Sequence, residues 1–229
     1  MMNRSLRAGI TTATVAAVLV IVGWTAQSNG DRVQDAGRAV AQKMTATLAG
    51  WEFVTDPPTS IAQVCTVKPD GVVAVSGSPV GYIATTATHR DYRLHAEWRW
   101  TDKPGNSGVL VHISSGPKDR QWPVCFQVQW KNKAVGDLLP MAGATFAEAL
   151  STPPGAKTPQ LNRAGADSER DVGEWNSCDV VCRGDVIEAS INLVAQNRVT
   201  GVSAAAGKVG FQLEGTPFEL RNVSITLLR

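Results

Sequence analysis

Arg93-Leu94-His95-Ala96-Glu97-Trp98-Arg99-Trp100 is the stretch that decides the fold. Read with a period of two, it puts Arg93, His95, Glu97 and Arg99 on one face. Leu94, Ala96, Trp98 and Trp100 fall on the other. Such a segment is a β-strand with one wet face and one buried face. The break Asp102-Lys103-Pro104-Gly105-Asn106-Ser107-Gly108 is turn chemistry. Beyond it Val109-Leu110-Val111-His112-Ile113 resumes the extended pattern, with His112 opposite Val111 and Ile113. After a Gly/Pro loop, Cys125, Gln127 and Gln129 alternate with Val124, Phe126, Val128 and Trp130. If the three strands are sheet neighbours, Glu97, Arg99, His112, Gln127 and Gln129 share one polar surface, the expected working face.

The rest of the chain reads the same way. Cys65 lies in a strand from Val64 to Val67, joined by a Pro-Asp-Gly turn to a second from Gly71 to Val75. Tyr82 to Thr86 is a further strand. Ile187, Ala189, Ile191 and Leu193 alternate with Glu188, Ser190 and Asn192, and Val209, Phe211 and Leu213 with Gly210, Gln212 and Glu214. Phe218 to Leu228 closes the series. Many short strands with turn residues between them predict an all-β, two-sheet antiparallel sandwich. From Lys131 to Glu174 the rhythm fails, with Pro140, Pro153, Pro154 and Pro159 in a mostly irregular run. A loop region that long, leaving the strand of Gln127 and Gln129, is expected to form a lid or wall of the site.

Upstream, Arg4 and Arg7 precede an uncharged, largely apolar run from Ala8 to Trp24. Basic-then-apolar is the order of an export signal. The run is just long enough to cross a bilayer, and Trp24 is too bulky for a small-x-small cleavage site ending at Ala26. Residues 1–26 are therefore read as a signal-anchor in preference to a cleaved signal peptide. Residues 27–47 are a linker with a short helix from Val33 to Leu48, and 48–229 are the globular domain. The basic flank keeps the N-terminus inside and exports the domain to the cell envelope or periplasm, with membrane contact through the hydrophobic helix. In the 229-residue chain, a formal charge of +2 from scattered basic residues offers nothing to nucleic acid. Cys178 and Cys182 lie about 13 Å apart in an extended strand, too far for a disulfide. A bridge involving Cys65 or Cys125 stays open.

Several motifs occur in an order that resembles the 3-keto-disaccharide hydrolase domain family. They are Gly105-Asn106-Ser107-Gly108-Val109, Trp122-Pro123 leading to Gln127-Val128-Gln129, Gly136-Asp137, Gly173-Glu174-Trp175-Asn176, Gly210-Phe211-Gln212-Leu213-Glu214-Gly215, and the ending Phe218-Glu219-Leu220-Arg221-Asn222-Val223. The resemblance runs from about Leu48 to Arg229. It implies a concanavalin A-like jelly roll and cleavage of glycosides whose sugar carries a 3-keto group. Two departures stand out: the family commonly has glutamate at the position of Gln127, and Asn-Gly where this chain has Asn192-Leu193.

A 3-keto group acidifies the C2 proton, and losing that proton lets the C1 aglycone leave without an oxocarbenium ion. The chemistry needs a base near neutral pH and a donor or metal for the enolate oxygen. His112 is the expected base, since imidazole titrates in that range. Glu97 and Arg99 read equally as a site pair or a structural ion pair, and His95 shares their face. His89, in a connection, is expected at the surface. Asn106, Gln127, Gln129 and Asp137 are the expected substrate-binding groups. Glu97, His112 and Asp137 could converge on a divalent metal ion, though no closely spaced His or Cys ligand motif marks one. The rival to the enzyme is a glycan-binding module on the same fold.

Overall fold

A computed structural model describes residues 40–45 and 47–228, with side chains from Gln42 onward. The hydrophobic run from Ala8 to Trp24 and the linker before Val40 lie outside the described residues. Among the described residues no helix is long and apolar enough to cross a membrane.

Among the described residues, fourteen strands form two antiparallel sheets. In chain order they are β1 (Val40–Lys43), β2 (Trp51–Val54), β3 (Cys65–Val67), β4 (Val73–Val75), β5 (Gly81–Thr85), β6 (Tyr92–Trp100) and β7 (Gly108–Asp119). There follow β8 (Trp122–Gln129), β9 (Leu138–Met141), β10 (Asn176–Arg183), β11 (Val186–Ile191), β12 (Val194–Val199), β13 (Lys208–Leu213) and β14 (Phe218–Leu227). The first sheet runs β12-β11-β10-β6-β14-β4-β3, with β1 also on β14, and the second runs β2-β5-β13-β7-β8-β9. One short helix, α1 (Ile61–Val64), is capped by the Ser60 hydroxyl, which accepts from the Ala62 N–H. The expected sandwich is therefore the observed fold.

The expected helix from Val33 to Leu48 is corrected over its described part. Val40–Lys43 is a strand on β14, and Leu48 turns into the core. The spacing of Val40 and Met44 mimics a helical face, but the non-local pairing decides the backbone.

The strand alternation explains the core. On β6, Leu94, Ala96, Trp98 and Trp100 are buried, while Arg93, His95, Glu97 and Arg99 face outward. On the second sheet Phe126, Val128, Trp130 and Phe211 point in. The two inner faces meet in stacked indoles, Trp98 on Trp130 with centroids 4.2 Å apart and planes 6° from parallel. The Pro69-Asp70-Gly71 turn pairs β3 with β4, and Gly71 takes the φ of +82° that glycine tolerates. All four cysteines are buried free thiols.

Candidate functional site

The outward face of the second sheet is hollowed into a cavity of about 790 Å³. That volume is in the ~300–1,000 Å³ range of small-molecule sites. Three glutamines make its floor: Gln127 and Gln129 from β8 and Gln212 from β13, all buried. They sit together because β13 and β8 both pair with β7, and each turns these glutamines outward while Phe126, Val128 and Phe211 point in. The Gln127 amide nitrogen donates to Gln212 Oε1 at 2.7 Å and to Gln129 Oε1 at 3.0 Å. A floor of linked primary amides offers both N–H and C=O groups to hydroxyls.

Glu214 rises at the rim beside this floor. Its Oε2 accepts from the Asn106 amide at 2.6 Å. The residue is exposed, yet the protein around its carboxyl disfavours the charged form and raises its pKa. Lys131, Arg120 and the Asn106 hydrogen bond pull the other way and do not cancel that burial. Asn106 Oδ1 is buried with no hydrogen-bond partner among the described residues. The region expected to be irregular lines the cavity as its wall, but part of it is the strand β9: Leu139 to Gly143 and Ala156 to Gln160 are at the cavity. Asp137 stands behind that wall. Its Oδ1 accepts from the Arg163 backbone N–H at 2.8 Å and its Oδ2 from Gln160 at 3.3 Å. Burial raises the Asp137 pKa against the opposing Arg163 bond and charge. Asp137 thus positions the wall and does not line the cavity.

The single polar face expected from β6, β7 and β8 does not exist. β6 belongs to the first sheet and β7 and β8 to the second, so Glu97 and Arg99 lie on the outer surface opposite the cavity. There they are bound to other residues. Arg221 donates to Glu97 at 2.6 Å and Asn222 at 2.8 Å, while Arg99 donates to Glu219 at 2.7 Å. Arg99 and Arg221 both stack on Trp175, with Cζ at 4.6 and 4.1 Å from the ring centroid. Burial alone would raise Glu97, but the Asn222 and Arg221 hydrogen bonds outweigh it and hold its pKa down. His95 sits beside them, 3.0 Å from Asp179, and that hydrogen bond raises its pKa.

His112 is the larger correction. A bulge interrupts β7 between Val111 and Ser115, and His112 takes φ +51° there. Strict alternation would send its ring to the cavity face with Leu110. The bulge instead turns the ring between the sheets, where it is fully buried and edge-on to Tyr92 at 5.7 Å. Its Nδ1 bonds the Ala204 carbonyl at 2.8 Å, and burial lowers its pKa. Gly207 permits this arrangement, since a Cβ there would stand 2.4 Å from the Ile113 carbonyl oxygen. His89 is likewise buried, bridged to Gly207, and not at the surface. Glu97, His112 and Asp137 therefore do not converge, and the described residues hold no cluster of three or more His, Cys, Asp or Glu suited to a metal ion.

Of the expected residues, the structure brings Asn106, Gln127 and Gln129 together at the cavity. Gln212 and Glu214 complete the group without having been singled out. Their signal was the alternation of Gly210, Gln212 and Glu214 against Val209, Phe211 and Leu213, which marks a polar face but not which strand it joins.

The chain matches the 3-keto-alpha-glucoside-1,2-lyase-like domain over residues 42–226. No curated protein matches it. Among solved structures it is similar to a putative glycosyl hydrolase from Parabacteroides distasonis ATCC 8503, at 21% identity and TM-score 0.59. That match covers 80% of this chain and 90% of the other. A second putative glycosyl hydrolase from the same organism has 18% identity and TM-score 0.57, covering 79% and 95%. The carbohydrate binding module CBM66 from Bacillus subtilis has 12% identity and TM-score 0.54, covering 77% and 95%. These likenesses show the fold, a concanavalin A-like jelly roll.

Proposed function

Because the chain belongs to the 3-keto-alpha-glucoside-1,2-lyase-like domain family, we propose that its cavity binds a 3-keto-glycoside and cleaves it with Glu214 as the base. The observation that carries this reading is the position of Glu214 beside the glutamine floor, with its pKa raised. A carboxylate of raised pKa is a better base than an ordinary one, and general-base catalysis contributes roughly 10²–10⁴-fold. Glu214 removes the C2 proton and becomes protonated, and the electron pair moves to the C3 oxygen as an enolate. Lys131, Arg120 and the floor N–H groups face that developing charge. The enolate re-forms the ketone, a C1–C2 double bond forms, and the C1–oxygen bond breaks. The departing aglycone oxygen takes the proton from Glu214, restoring the carboxylate. Addition of water across C1–C2 then completes a net hydrolysis.

One observation favours a second reading, a glycan-binding module. Gln127 is an amide where the family commonly has glutamate, so the floor itself holds no carboxylate. Incubating the purified protein with a 3-keto-glucoside and the matching glucoside separates the two. Release of aglycone from the keto sugar alone is expected. Sugar binding without release from either would overturn the enzyme in favour of the binding module.

Export to the envelope remains part of the proposal, through the basic-flanked run from Ala8 to Trp24. Fractionation of the full chain with membranes, its N-terminus retained, is the expected result.

A further inference from the structure

The cavity rim carries more positive charge than the reaction uses. Lys118 and Arg120 reach it from the β7–β8 hairpin, Lys131 follows β8, and Lys157 comes from the lining segment Ala156 to Gln160. Only two lining carboxylates, Asp119 and Glu214, stand against them. Asp119 lies 3.8 Å from Arg120, and Glu214 is hydrogen-bonded by Asn106. Among the described residues Lys118, Lys131 and Lys157 have no carboxylate within ion-pairing distance.

The cations are not spread along a flat surface. Lys118 Nζ lies 3.8 Å from the point where a Cβ on Gly143 would stand, which sets the ammonium against the wall after β9. Arg120, at the hairpin tip, is near enough to Glu214 to act on its carboxyl. The β7–β8 hairpin carries register shifts between Val111 and Ser115 and between Ser115 and Asp119, and its residues Lys118, Asp119 and Arg120 line the cavity together with Lys157. The whole chain carries a formal charge of only +2, so this is a local surplus. A cleft with low-dielectric walls concentrates the field of such a surplus on what enters.

We propose that the ligand of this cavity is a carboxylate-bearing glycoside, its anionic group held by Lys118 and Lys157, the two lining cations that the reaction leaves unused. The proposal rests on the cavity being the glycan site and is independent of whether the bond is cleaved. The carboxylate could belong to a uronic acid or to the aglycone. A neutral sugar would leave the ammonium groups hydrated and unpaired, whereas a carboxylate gains charge-assisted bonds inside a partly enclosed space.

Calorimetric titration tests it with methyl glucoside, methyl glucuronide and p-carboxyphenyl glucoside. At least one of the carboxylated ligands is expected to bind about tenfold or more tightly than methyl glucoside, with the advantage shrinking as salt rises from about 0.05 M to about 0.5 M. Glucuronide preference places the charge on the sugar, and carboxyphenyl preference places it on the aglycone. In the double variant Lys118→Gln, Lys157→Gln the ratio of charged to neutral affinity is expected to fall several-fold. Both side chains are exposed, so folding should survive. Equal affinity for all three, no binding of either charged ligand, or a ratio untouched by the double variant would overturn the proposal. Tight binding of a carboxylated ligand whose 3-keto form is not cleaved would leave this inference standing and remove the proposed reaction.

Discussion

The outer face of the first sheet and the cavity floor on the second are both polar, and they do opposite things with their polar groups. On the first sheet Lys68 and Arg99 close on Glu219, Arg221 and Asn222 close on Glu97, and His95 closes on Asp179. Every group named there has a protein partner and contributes to holding β6, β10 and β14 in register. On the second sheet the cavity floor is three neutral amides, and around it Lys118, Lys131 and Lys157 have no carboxylate within ion-pairing distance among the described residues. A polar face is a candidate site when its groups are left wanting partners in an enclosed space, not when it is simply charged.

That contrast can be broken most sharply at Glu214. Glu214→Gln should lower kcat/KM on a 3-keto-glucoside about a hundredfold or more while the protein stays folded. A steady-state assay beside a thermal melt checks both halves. Gln127→Glu should come next. The new carboxyl would face Gln212 Oε1, Gln129 Oε1 and the Ser107 carbonyl without the amide's donors. A loss of about 1–3 kcal/mol by denaturant unfolding is expected, partly relieved by rotation of the two neighbouring amides. Arg99→Ala should have the converse profile, costing about 1–2 kcal/mol by removing one partner of the buried Glu219 and leaving turnover as it was. A turnover loss matching that of Glu214→Gln would return Arg99 to the site.

The smallest effect is a pH slope from His95. Its folded pKa is raised, so its contribution is full below the ordinary histidine value of about 6.5 and is lost as pH rises through the folded pKa. His112 and His89 have lowered pKa values and act in the opposite sense, losing their contribution as pH falls below that ordinary value. Subtracting melting temperatures of His95→Gln from those of the parent across this range should give a difference that shrinks with rising pH. A flat difference would mean that the His95–Asp179 contact adds no charge-dependent stability.

The alternation of Leu94, Ala96, Trp98 and Trp100 was enough to place them in a core, because period-two burial is a local property. Which sheet β6 joins is not local, and that alone separated Glu97 and Arg99 from the glutamines. The inward turn of His112 depended on one residue at positive φ, a geometry that Val-His-Ile does not advertise. β12 escaped notice because Val194-Ala195-Gln196-Asn197-Arg198-Val199 alternates poorly and pairs through a register shift. The alternation carried the strand on through Asn192 and Leu193, but both have positive φ, at 49° and 71°, and form the turn between β11 and β12. Gln127 and Gln129 were found because each lay on a recognisable polar parity, and Asn106 because it stands in the polar turn that leads into their neighbouring strand. Glu214 was overlooked because it stands just past the end of β13, where alternation has no neighbour beyond it to confirm it.

The four free thiols give the fold an internal clock. Burial pushes the Cys65 and Cys182 pKa values up to about 12, and those of Cys125 and Cys178 higher still. Almost no thiolate is present at neutral pH, so an alkylating reagent finds them only when the surrounding strands part. Cys178 and Cys182 are on β10 of the first sheet, Cys65 at that sheet's far edge, and Cys125 on β8, two residues from the glutamine floor. The order in which they become modified is therefore a record of which sheet opens first.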